Sequence, residues 1–130
     1  MTRTTWRGVT VDVRTAAMLE HVAHHTPDDL VVTPTQGSYS TSTSASAGTH
    51  AGGGVVDLRT RNLSTDQRAQ LLRVMRATGF AGWLRTASQG CSGDHLHAVA
   101  IQPGGMRDVG VLSGAAHAQV VDYYEGRNGL

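Results

Sequence analysis

Two short stretches hold the side chains that could do chemistry. The first is Thr49 to Asp57, Thr-His-Ala-Gly-Gly-Gly-Val-Val-Asp, with His50 and Asp57 separated by three glycines and two valines among other small residues. The second is Asp94-His95-Leu96-His97. Together they supply two imidazoles and a carboxylate for a metal, and a second carboxylate to work beside it. Imidazole nitrogen and carboxylate oxygen are ligands that zinc accepts at neutral pH. A catalytic zinc site has three such protein ligands and keeps a fourth position open. Each piece also has a plainer reading. A His with an Asp a few residues on is common by chance, and a His-x-His can be a hydrogen-bonded structural pair.

The local sequence places these groups. Gly52, Gly53 and Gly54 permit a tight turn, so the side chains at its two ends can converge. Val55, Val56 and Leu58 predict a short strand after it. His95 to Ile101 alternates strictly, which predicts a strand with His95, His97, Val99 and Ile101 on one face and Leu96, Ala98 and Ala100 on the other. Asp94 lies an odd number of positions from His97 and reaches the same side only if the strand begins after it. Gln89-Gly90-Cys91-Ser92-Gly93 reads as such a turn.

The remaining elements form the frame. Val9 to Val13 alternates and predicts a short strand or extended arm. A helix is expected from Arg14 to about Thr26, stopped by Pro27. Leu30 to Thr33 reads as a buried strand. Gln36 to Gly48 is rich in Ser, Thr, Gly and Ala and is expected to form an ordered loop over the site. Ser64 and Gln67 form a capping box that starts a second helix, and Gly79 ends it. Phe80 to Leu84, with Trp83, is a further strand, and Thr86 to Gly93 a loop. A last helix is expected from Ser113 to Glu125. Helices and strands mix without a βαβ rhythm. The fold class is therefore α+β: one domain, residues 1–130, with a small antiparallel sheet flanked by helices.

His50-Ala-Gly-Gly-Gly-Val-Val-Asp57 followed by Asp94-His-Leu-His97 resembles the zinc motif of the D-alanyl-D-alanine carboxypeptidase and L-alanyl-D-glutamate endopeptidase family. Phage endolysins, vancomycin-resistance dipeptidases and the hedgehog signalling domain share that fold. The family pattern is Ser-x-His-x-x-Gly-x-Ala-x-Asp, then an acid three residues before a final His. The likeness runs from about Thr33 to Ile101. It implies that His50, Asp57 and His97 bind Zn2+, that Asp94 stands in the place of the catalytic Glu, and that His95 matches a site histidine of the His-x-His branch. Gly48 replaces the Ser, Val55 the Ala, and Asp94 is one methylene shorter than Glu. Many relatives carry an Arg on the strand before the long loop. Here Gln36 takes that place as substrate donor, which fits an endopeptidase better than a carboxypeptidase.

The implied reaction is hydrolysis of a peptide bond in a peptidoglycan stem peptide or crosslink. Zinc lowers the pKa of a bound water from about 15.7 to about 7. Asp94 would act as general base, and Gln36 and His95 as hydrogen-bond donors to the oxyanion. The alternative is a zinc-containing binding module on the same fold without turnover. A domain without metal is a third reading.

Composition bounds these readings. The chain has 130 residues, enough for one core. Its net charge is +1 and its eleven basic residues are all Arg, with no basic excess of the kind that nucleic-acid binding asks for. The single cysteine, Cys91, excludes an internal disulfide. No apolar run reaches the length of a membrane span. No secretion signal is read at the amino terminus, so the bacterial cell wall would be reached by phage-type release or within a larger protein. A monomer is expected. Of the other histidines, His21, His24 and His25 read as solvated surface on the first helix, and His117 as surface on the last. Tyr123 and Tyr124 are expected to cover the core. Asp12 has no assignable role.

Overall fold

The computed structural model describes residues 2–40, 48–86, 93–102 and 111–127. In order, the chain forms β1 (Arg3–Trp6), β2 (Val9–Asp12), α1 (Val13–His24), β3 (Pro34–Gln36), a 3-10 turn (Thr49–Ala51), β4 (Val55–Arg59), α2 (Thr65–Thr78), β5 (Phe80–Arg85), β6 (His95–Ala100) and α3 (Gly114–Tyr124). The expected α+β class holds. Four strands form an antiparallel sheet in the order β3-β4-β6-β5, and β1 and β2 form a separate hairpin.

The helices begin and end where the sequence demands. Asp12 caps α1 by accepting from Thr15 N–H, and Thr15, Leu19 and Val22 form its buried stripe. Ser64 accepts from Gln67 N–H while the Gln67 side chain accepts from Ser64 N–H, so both bonds of the capping box are made. Gly79 closes α2 at φ 117°, a conformation that costs glycine nothing and a branched residue a good deal. Ser113 caps α3.

The sheet is covered on both faces. One face carries Val56, Leu58, Leu96, Ala98, Ala100 and Phe80 against Leu19 and Val22 of α1 and Leu71 and Met75 of α2. The other carries Val55, Ala81, Trp83 and Val99 against Ala116 of α3. This double burial explains why β4 reads Val-Val-Asp-Leu with no exposed position among the four.

Two strand readings need correction. Leu30 to Thr33 is not a strand. It is extended, with Leu30 and Val32 buried and Val31 exposed, and it meets the sheet through one bond, Arg59 N–H to Thr33 O. The strand starts at Pro34. The apolar, β-branched composition reflects burial of Leu30 and Val32 in the core, not membership of a ladder. Val9 to Val13 is a strand only to Asp12, because Val13 already opens α1, and it pairs with β1, which the sequence reading left unassigned. Arg7 and Gly8, both at positive φ, form the two-residue hairpin turn. Residues 41–47 and 87–92, read from the sequence as parts of loops and including Cys91, lie outside the described residues.

Candidate metal centre

The sheet register sets the site. Asp57 on β4 pairs with His97 on β6, His97 pairs with Trp83 on β5, and Gln36 on β3 pairs with Asp57. Cross-strand partners project from the same face, so Asp57, His97 and Trp83 form one row across β4, β6 and β5, with Gln36 paired to Asp57 at an irregularity in the β3–β4 register. The neighbouring row is Arg59, His95 and Arg85. His50 comes from outside the sheet. It sits in the 3-10 turn Thr49–Ala51, and the glycine turn that follows carries it back over Asp57.

Gly52 to Gly54 is a place where only glycine fits. A Cβ on Gly52 would meet Ser113 N at 2.6 Å, one on Gly53 the Tyr39 hydroxyl at 2.8 Å, and one on Gly54 the Leu112 side chain at 2.5 Å. Gly54 also takes φ 82°. The turn thus lets the chain pass between α3 and the end of β3, and that passage brings His50 to Asp57.

The resulting cluster is buried. His50 is 1% and His97 5% exposed, and Asp57 is 9% exposed. His50 Nε2 lies 3.3 Å from Asp57 Oδ2, and His97 Nδ1 lies 2.8 Å from Asp57 Oδ1. One ligand atom from each of the three falls within 4.8 Å of the others.

The outward nitrogens decide the protonation. His50 Nδ1 is 2.7 Å from the Gly37 carbonyl, which can only accept, so Nδ1 carries the proton. His97 Nε2 is 2.7 Å from Gln119 Oε1 on α3 and donates to it. In their neutral forms both rings therefore turn lone pairs on the Asp57 carboxylate. Three electron-rich atoms at such distances repel unless a cation lies among them, either a metal or extra protons on the rings. Fixing the far nitrogen of each imidazole with an oxygen acceptor is the usual support of a metal-binding histidine. Tetrahedral zinc with bonds of about 2.0–2.2 Å places ligand atoms about 3.3 Å apart; the His50–Asp57 separation is 3.3 Å, while His97 Nδ1 and Asp57 Oδ1, at 2.8 Å, are at direct hydrogen-bond distance and would have to part slightly around an ion. By donor chemistry and proximity the three residues could hold a divalent metal ion. Burial pushes the Asp57 pKa up, but the hydrogen bonds and positive charge of His50 and His97 outweigh it and hold the carboxyl well below the usual carboxylate range.

The structure brings four of the six sequence-derived site residues directly together with one more beside them. His50, Asp57 and His97 form the cluster. His95 Nδ1 donates to Gly93 O at 2.9 Å, and its Nε2 faces Asp57 Oδ2 at 3.8 Å. Gln36 is paired to Asp57, and its Nε2 is buried without a hydrogen-bond partner among the described residues. Asp94 lies just before β6, and its Oδ2 is 3.4 Å from Arg68 Nη1 of α2. That helix packs on the Leu96 face, opposite the histidines.

Several neighbours were not foreseen. Gln119 is invisible to sequence because its role arises only when α3 docks. Arg59 and Arg85 flank His95, and that follows from a register the sequence does not state. Trp83 lies alongside the His97 ring, with centroids 6.3 Å apart and planes at 18°. The Arg85 guanidinium lies over Trp83 at 5.0 Å. His21, His24 and His25 are exposed as expected. His117 is only half-buried, with Nε2 enclosed and unpartnered among the described residues. Tyr124, expected to cover the core, is 64% exposed, whereas Tyr123 packs against Trp83.

Comparison with protein-family models, with curated proteins and with solved structures finds no match to this chain.

Proposed function

We propose that this chain is a zinc-dependent peptidase that hydrolyses a peptide bond in peptidoglycan stem peptides or crosslinks at the bacterial cell wall, with endopeptidase action favoured. The observation that carries the reading is the buried His50–Asp57–His97 cluster, reached from a sequence pattern that resembles the D-alanyl-D-alanine carboxypeptidase and L-alanyl-D-glutamate endopeptidase family.

His50, Asp57 and His97 would hold the zinc. When bound, zinc supplies Lewis-acid polarisation of a carbonyl and a water of low pKa. The chain's own groups do the rest. Gln36 Nε2, a buried donor with no partner among the described residues, is suited to meet the carbonyl oxygen of the substrate. His95, tied at Nδ1 to Gly93 O, is held beside Asp57 with its ring orientation fixed. Asp94 takes the proton and delivers it to the leaving amine. To do so its carboxylate leaves Arg68, a partly exposed pair at 3.4 Å. Pairs of that kind contribute about 0–1 kcal/mol, and the carboxylate must also turn from the Leu96 face to the face that carries the histidines.

The same Asp94–Arg68 pair supports a second reading, in which the fold holds zinc as a binding module and no turnover occurs. One experiment separates the two. Peptidoglycan is digested with zinc-loaded protein and the products are identified by mass spectrometry, with Asp94→Asn as control. New stem-peptide termini, absent with the control, support the peptidase and name the bond. Intact peptidoglycan with one zinc retained per chain supports the binding module. A chain that takes up no zinc removes both.

A further inference from the structure

Asp12 stands outside the metal centre, yet its carboxylate touches the turn that builds it. It is 1% exposed. Oδ2 accepts from Thr15 N–H at 3.0 Å, and Oδ1 accepts from the Thr15 hydroxyl at 2.7 Å. Those two bonds cap α1. Capping alone does not call for a buried charge: Ser, Thr and Asn cap as well, and α2 and α3 use Ser64 and Ser113. A buried carboxylate is costly unless fully hydrogen-bonded. At Asp12 the remaining acceptor capacity goes to Gly54, whose N–H donates to Oδ1 at 2.8 Å across forty-two positions of sequence.

Gly54 is the last residue of the glycine turn, with His50 four positions before it and Asp57 three after. The turn is pinned elsewhere by Gly53 N–H to Val111 O at 2.6 Å and by Tyr39 N–H to Gly52 O at 3.0 Å. At the remaining end Ala100 N–H donates to Gly54 O at 2.7 Å, and Asp12 is the side chain that takes the Gly54 N–H. A Cβ on Gly53 would lie 3.1 Å from Asp12 Oδ1, so the carboxylate and the turn are in direct contact.

We propose that Asp12 is a positioning residue that joins the start of α1 to the Gly52–Gly54 turn and so sets the spacing of His50 and Asp57, and with it the metal affinity of the cluster. This rests on the reading of His50, Asp57 and His97 as a zinc site. The charge at Asp12 strengthens the bond to the Gly54 amide, and the first helix thereby becomes part of the metal centre.

The test uses the full chain with three substitutions. Asp12→Ser keeps a capping oxygen but is too short to hold Gly54 as well. Asp12→Asn keeps one acceptor oxygen, which can serve Gly54 N–H or Thr15 N–H, and turns an NH2 donor on the other. Ser64→Ala removes the cap of α2, which contributes nothing to the turn. Zinc affinity is measured by competition with a chelator, and the imidazole resonances of His50 and His97 are recorded in the zinc-free protein. Asp12→Ser is expected to weaken zinc binding by about tenfold, the lower end for groups that orient metal ligands, and to shift both sets of ring resonances. Asp12→Asn, with one acceptor oxygen left, falls between Asp12→Ser and wild type, and Ser64→Ala loses thermal stability without losing affinity. Wild-type affinity and unmoved ring resonances in Asp12→Ser overturn the proposal. So does a loss of affinity in Ser64→Ala equal to that in Asp12→Ser, because affinity would then follow stability alone. If Asp12→Ser does not fold, loss of zinc binding in a well-folded Asp12→Asn, with Gly54 amide exchange unchanged, also overturns it. If the wild type binds no zinc, the metal reading fails by itself, and the zinc-free ring resonances still report whether Asp12 positions the histidines.

Discussion

His97 on β6 and Asp57 on β4 are register partners, and their side chains meet with Nδ1 2.8 Å from Oδ1. His97 then reaches Gln119 of α3 with its other nitrogen. A strand pair therefore supplies two of the candidate ligands on a rigid sheet, and a helix from the end of the chain orients one of them. The third, His50, depends on a turn. This division suggests that the sheet ligands persist without metal and that the His50 side is the part of the centre which metal binding tightens.

The ligand assignment predicts one zinc per chain in elemental analysis of reconstituted protein. His50→Ala and His97→Ala should each reduce that content to background. Full zinc retention in His50→Ala would remove it from the ligand set.

Gln119 provides a separate check on the site. With no acceptor at Nε2, the His97 ring can take either tautomer and loses its fixed orientation. Gln119→Leu should weaken zinc binding by about 10–100-fold, and Gln119→Glu, which restores an acceptor, should recover most of it. Equal affinity in wild type and Gln119→Leu, by chelator competition, would show that α3 does not support the centre.

The capping box at Ser64 and Gln67, the glycine stop at Gly79 and the alternation from His95 onward could be read directly, because each depends on neighbours in sequence. So could the convergence of His50, Asp57 and His97, since the glycines mark the turn. What could not be read depends on distant partners. β1 is Arg-Thr-Thr-Trp with only Trp6 buried, so no apolar alternation marks it, and its pairing comes from the Arg7-Gly8 turn. Leu30 to Thr33 has the pattern of a strand but no partner to pair with. Gln119 and Arg59 enter the site through helix docking and strand register; Arg59 follows Asp57 by two residues, but nothing local pairs it with His95.

Gln36 carries a trade between stability and activity. A buried donor without a partner costs about 1–3 kcal/mol, and Gln36 Nε2 has none among the described residues. Gln36→Ala removes the unpaired group, so the loss of packing is offset and the folded state should stay close to wild type in thermal melts. Zinc affinity should be nearly unchanged. Turnover should fall by about 10²–10³, the usual cost of an oxyanion donor. Unchanged turnover would take Gln36 out of the site.

Asp57 gives the pH dependence of the zinc-free protein. Its pKa in the folded state lies below the ordinary value because His50 and His97 outweigh burial. A depressed carboxylate stabilises the fold above the unfolded pKa of about 3.9, and that contribution is lost as pH falls through the lower folded value. Denaturant midpoints measured from pH 7 down to pH 3 should therefore fall more steeply below about pH 5 in wild type than in Asp57→Asn. Parallel curves would show that Asp57 is not held anionic by the histidines.

Asp94 and His95 compete for the proton-transfer role, and their surroundings differ. His95 belongs to β6 and projects with His97, its Nε2 3.8 Å from Asp57 Oδ2. Asp94 precedes the strand and is paired with Arg68 of α2 at 3.4 Å. The ladder does not hold Asp94, because its last pairs on β6 are Arg59 with His95 and Arg85 with His95. The general-base role asks the chain at Gly93 and Asp94 to turn the carboxylate toward the histidine face, against an ion pair that is by itself a weak restraint. If Asp94 is the general base, Asp94→Asn should lose about 10²–10⁴ in rate while keeping zinc. His95→Gln, which preserves a donor, should lose less. Arg68→Ala, which frees the carboxylate, should leave the rate unchanged or raise it. Rates are read on one defined stem peptide at saturating zinc. An inactive His95→Gln with an active Asp94→Asn would transfer the proton to the imidazole already beside Asp57, and a large loss in Arg68→Ala would mean that the Asp94–Arg68 pair is itself the working arrangement.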